Sequence, residues 1–123
     1  MTSTSVQRKI WVTFSKTGMH RYPEAPEDVS YLRHPHRHKF LFKATVTVEH
    51  DDREIEFHQM LNWIETLYSK STLELDYRSC EMLAEELAVQ MRIKYGPGRT
   101  YEVEVSEDGE CGAVVTLPSA ASV

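Results

Sequence analysis

A chain of 123 residues, 41% hydrophobic and 27% charged, has the length and apolar content of a single domain with one two-layer core. Its formal charge of −5 argues against nucleic acid as the main partner, and no apolar run approaches the roughly 20 residues that a membrane-spanning helix needs. Two cysteines, Cys80 and Cys111, lie far apart with no framework spacing, which predicts free thiols in a reducing cytosol, and the polar Met1–Lys9 stretch lacks the apolar centre of a secretory signal.

Residues 1–8 read as a flexible tail, followed by a single domain over 9–117 and a second, small-residue tail over 118–123. Ile10-Trp11-Val12-Thr13-Phe14 is β-branched and aromatic and predicts the first strand. Thr17-Gly18 is expected to break it, with Met19-His20-Arg21-Tyr22 returning as a short strand. Pro23 and Pro26, flanked by Glu24, Glu27 and Asp28, predict an ordered but irregular loop. Beyond it Phe40, Phe42, Ala44, Val46 and Val48 share one parity, and Lys43, Thr45 and Thr47 the other, which makes a strand with one apolar face. His50-Asp51-Asp52-Arg53 reads as a turn and Glu54–Phe57 as a brief strand.

From there the period lengthens. Phe57, Met60, Leu61, Ile64, Leu67 and Tyr68 form a helical stripe that is expected to be core. A second helix is predicted from an N-cap at Ser79, with Glu81 in its first turn and Leu83, Ala84, Leu87, Ala88 and Met91 on its apolar side, ending at Gly96-Pro97-Gly98. Tyr101 to Val105 alternates again, Asp108-Gly109 signals a hairpin, and Gly112 to Thr116 is the return strand. The fold class is therefore α+β: an antiparallel sheet with two helices packed on one face. Trp11 and Trp63 are expected to serve packing or contacts between subunits.

Extended backbone reaching back to His36 puts His36 and His38 on the apolar parity, side by side, and H-x-H on a strand is a zinc half-site. His34 shares that parity and makes a competing set with them, although Pro35 interrupts the strand; His50 and His58 read as surface residues. Arg33, Arg37, Lys39 and Lys43 cluster nearby, either to favour an anionic ligand or simply to blunt a solvated strand edge.

Over residues 10–116 this order of motifs resembles the tunnelling fold (T-fold) of the 6-pyruvoyl-tetrahydropterin and 6-carboxytetrahydropterin synthases. Phe14-Ser15 followed by His20-Arg21-Tyr22, His36-Arg37-His38-Lys39-Phe40, Glu56-Phe57, Ser79-Cys80-Glu81-Met82-Leu83-Ala84 and Val103-Glu104-Val105-Ser106-Glu107 stand in the order of the family's motifs. The resemblance implies zinc on His20, His36 and His38, and Glu107 as the anchor of a pterin-type ring. It also brings Glu81 into the ligand-binding motif, with Arg37 and Lys39 near the zinc end, suited to an anionic tail. Assembly into a trimer or a hexamer of stacked trimers is implied as well.

Three family positions differ, one of them Arg37, which stands where the family has a glycine between the two histidines. Leu32 stands in place of the cysteine four residues before H-x-H, and Leu75-Asp76-Tyr77 in place of L-D-H. A tyrosine with a reference pKa near 10 is poorly matched to proton transfer at neutral pH. Two function classes follow. One is a binding protein for a pterin-, purine- or nucleotide-type ligand, of the kind used by small phage proteins that sequester nucleotide signals. The other is a zinc-dependent tetrahydropterin synthase-like lyase.

Overall fold

The apolar parity of residues 40–48 organises the sheet. The computed structural model describes residues 6–120, so residues 1–5 and 121–123 of the two proposed tails lie outside the described residues. Strand β2 (His36–Val48) buries Phe40, Phe42, Ala44 and Val46 along one face. Strand β1 (Arg8–His20) pairs with it antiparallel along its whole length, from Arg8 opposite Val48 to His20 opposite His36. On the other side of β2 runs β4 (Tyr101–Glu107), also antiparallel, and β5 (Cys111–Leu117) returns along β4. Asp108 and Gly109 make that return with φ of 58° and 75°, a left-handed conformation that Asp and Gly tolerate.

Helix α1 (Phe57–Leu67) starts where the Glu56 carboxylate accepts hydrogen bonds from the His58 and Gln59 N–H groups. Helix α2 (Cys80–Tyr95) starts where Ser79 Oγ accepts from the Met82 N–H at 3.2 Å. It stops at Gly96, whose φ of 99° suits a residue without a Cβ. Met60 and Ile64 of α1, with Leu83, Ala84, Leu87, Ala88 and Met91 of α2, pack into one core with Phe40, Phe42, Tyr101, Val103 and Val105 of the sheet. Both helices thus cover one face, and Trp11, Leu41 and Val114 stay exposed on the other. The chain is an α+β domain, and no described helix is long and apolar enough to cross a membrane.

Several sequence expectations need correction. Residues 8–20 form one strand rather than two, because Gly18 continues the ladder: a Cβ there would meet Leu75 at 2.8 Å and Phe40 at 2.9 Å, so only glycine lets these core side chains close over the backbone. The segment 54–56 is not a strand; Ile55 is buried there without ladder partners. Glu27–Arg33, inside the loop, is a kinked 3-10 helix. Phe57 and Leu67 are exposed, so the helical stripe narrows to Met60 and Ile64, with Leu61, Trp63 and Tyr68 half-buried at its margins. A fifth strand, β3 (Thr72–Asp76), lies between the helices and runs parallel to β1, so the sheet is mixed, in the order β3-β1-β2-β4-β5.

Candidate metal centre

Three strand ends meet at one corner of the covered face. β1 ends on His20, β2 begins at His36, and β4 ends on Glu107, which lies opposite Phe40. Alternation carries His36 and His38 onto the same face as Phe40, and the antiparallel register sets His20 directly against them. Ring centroids are 4.6 Å apart for His20 and His36, 5.0 Å for His36 and His38, and 5.5 Å for His20 and His38. Phe40 closes the inner side, edge-on to His20 at 5.1 Å and to His38 at 6.0 Å.

Each imidazole is oriented through its Nδ1. That atom of His20 lies 3.2 Å from the Arg78 carbonyl oxygen, that of His36 lies 2.8 Å from the His34 carbonyl oxygen, and that of His38 lies 2.7 Å from Asp108 Oδ2. Carbonyl and carboxylate oxygens only accept, so each Nδ1 carries the hydrogen and each Nε2 of the neutral ring is left with a lone pair. Histidines that ligate metals are held in this way. The Nε2 atoms of His20 and His38 are buried and make no hydrogen bond. One ligand atom from each of the three rings lies within 4.8 Å of the others, so the group can hold a metal ion.

The electrostatics agree. Burial pushes the His20 imidazole below its ordinary pKa, against the opposing pull of the Arg78 carbonyl and Glu107, which favours the neutral, ligating ring. Asp108 is held below the usual carboxyl range by the Lys39 N–H and by His38, so it stays a carboxylate able to fix that ring.

A cavity of about 530 Å³ opens beside the cluster. His20, His36, Glu81, Glu107, Leu32 and Tyr77 are on its wall. Arg37 and Lys39 are not: they alternate with the histidines, so they are exposed on the opposite face of β2. The cationic side chains on this wall are instead Arg21 and Arg78, the first paired with Asp76 at 2.9 Å and the second with Glu86 at 3.1 Å. Sequence reasoning missed both, and also missed Asp108 as the partner of His38. His34 contributes its carbonyl and no ring nitrogen to the cluster.

Cys80 and Cys111 also line the cavity as free thiols. Burial, then Glu107, Glu81 and Cys111, push the Cys80 thiol up to about 11, so its helix N-terminus does not make it a thiolate. No protein-family model matches the sequence, and no curated protein matches it either.

Proposed function

We propose that the chain is a zinc-bearing T-fold protein that binds a pterin-, purine- or nucleotide-type ligand in a pocket between subunits. The observation that carries this reading is the convergence of three imidazoles, each with its Nδ1 hydrogen-bonded, on one point beside a carboxylate and a cavity. Three nitrogen donors are the usual protein contribution to a zinc site of the catalytic type. Zinc held there would act as a Lewis acid toward an oxygen of the bound ligand. A volume of about 530 Å³ suits one small heterocycle with a short tail, since ligand pockets run from about 300 to 1,000 Å³.

The two positions where the resemblance calls for proton-transfer groups, Leu32 and Tyr77, both line this cavity. Leucine moves no proton, and tyrosine is poorly matched to neutral pH, which favours holding a ligand over turning it over. The specific observation in favour of the lyase is the trihistidine group itself, which a pure binding protein does not need.

Calorimetry against neopterin triphosphate analogues, guanine nucleotides and cyclic nucleotides tests the binding reading. A planar amidine presents adjacent N–H donors to one carboxylate, so Glu107→Gln is expected to weaken binding by about 30- to 1,000-fold, the range for losing a buried charge-assisted pair. Binding of none of these compounds by the wild type, or equal binding by the variant, refutes the heterocycle pocket.

Self-assembly completes the proposal. β3 and β5 are the outer strands of the sheet, and its uncovered face exposes Trp11, Leu41 and Val114. A trimer or hexamer is expected in light scattering at micromolar concentration, and a stable monomer there contradicts the T-fold reading.

A further inference from the structure

Glu107 ends β4 with its carboxylate against two of the three histidines, His20 and His38. Oε2 lies 3.1 Å from His20 Nε2, and Oε1 lies 3.5 Å from His38 Nε2. Both nitrogens are buried without a hydrogen bond. The Arg78 carbonyl and the Asp108 carboxylate fix a hydrogen of each ring on Nδ1, so in the neutral rings each Nε2 presents a lone pair. Two lone pairs and two anionic oxygens therefore face one another at close range. Such a set is repulsive by itself, and a cation between its members makes it attractive.

We propose that Glu107 is the fourth ligand of the metal, closing the trihistidine site with a carboxylate oxygen. The inference rests on the metal-binding reading of the same cluster and goes beyond it, because the site then has no open position at rest. Three nitrogens and one oxygen complete a four-coordinate set of the kind zinc takes. The Glu107 side chain is 30% exposed and borders the cavity, so it has room to turn away. A heterocycle that donates hydrogen bonds to this carboxylate draws it off the metal and opens the fourth position. Ligand binding and metal opening are coupled through one side chain.

Cobalt(II) in place of zinc gives the test, because its visible bands report coordination and shift when a small anion binds an open position. The wild type is expected to take up one cobalt with bands that azide leaves unchanged. Glu107→Ala is expected to bind cobalt more weakly by over about 100-fold, since losing even an outer partner of a ligand costs about 10- to 100-fold. Its remaining cobalt bands should shift on azide addition. Wild-type bands that already shift with azide, or a variant with unchanged affinity and spectrum, overturn the fourth ligand while leaving the trihistidine site intact. Failure of the wild type to bind cobalt overturns both. The wild-type azide response needs no variant, so the test stands even where Glu107→Ala folds poorly.

Discussion

Alanine at His20, His36 or His38 is expected to abolish stoichiometric metal binding, each change lowering affinity by more than about 100-fold. The rings supply the only three nitrogens of the cluster, and each is fixed by its own acceptor, so no neighbour replaces a lost ring. Asp108→Asn should have a smaller effect, about 10- to 100-fold, because it loosens the His38 ring without removing a ligand. Folding should change little for His36→Ala, within about 1 kcal/mol, since that ring is only half-buried at a strand start. Elemental analysis and urea unfolding on the same preparations separate the two effects. Full metal content in any of the three alanine variants would remove that histidine from the ligand set.

Phe40→Ala is expected to have the largest effect on stability, about 3–5 kcal/mol, as a large aromatic removed from a close-packed core. Phe40 is fully buried, sits where Gly18 brings the β1 backbone close, and forms the inner wall for the rings of His20 and His38. A loss of that size is a large share of the about 5–15 kcal/mol that holds a domain of this kind together. Metal affinity should fall with it, because the two rings lose the surface that holds them edge-on. Leu41→Ala, on the uncovered face of the next residue, should cost within about 0.5 kcal/mol in the isolated subunit. Equal urea midpoints for the two variants would contradict the placement of the core face.

The legible parts of the fold were those with a clean local period. Residues 40–48 alternate without interruption, and residues 80–91 place Leu83, Leu87 and Met91 at helical spacing between a serine cap and a glycine stop. His36 and His38 were visible for the same reason, since alternation alone sets them on one face. What escaped is what non-local pairing creates. β3 is five residues long, with only Leu73 and Leu75 to show its period, and it exists because β1 offers a parallel edge. The pairing skips a residue there, with Met19 opposite Glu74 and His20 opposite Asp76, and Asp76 takes a φ of 51°.

That irregularity also brings Arg21 beside Asp76 and into the cavity wall, which no sequence spacing encodes. The acceptor for His20 is the backbone carbonyl of Arg78, 58 residues away, and side-chain patterns carry no trace of it. Asp108 was readable as a turn residue. Its second role, holding His38, depends on the turn lying against the start of β2, where its N–H donates to the Lys39 carbonyl at 2.7 Å. Arg37 and Lys39 looked like site residues because they are adjacent in sequence to the histidines, yet a strand sends adjacent residues to opposite faces.

Zinc content per chain is the most direct test of the central claim. The protein, loaded with zinc and passed through a desalting column, is expected to retain about one zinc per chain at neutral pH and to release it as the solution is acidified and the imidazoles take up protons. Wild-type protein that emerges from the column folded and without zinc contradicts the account.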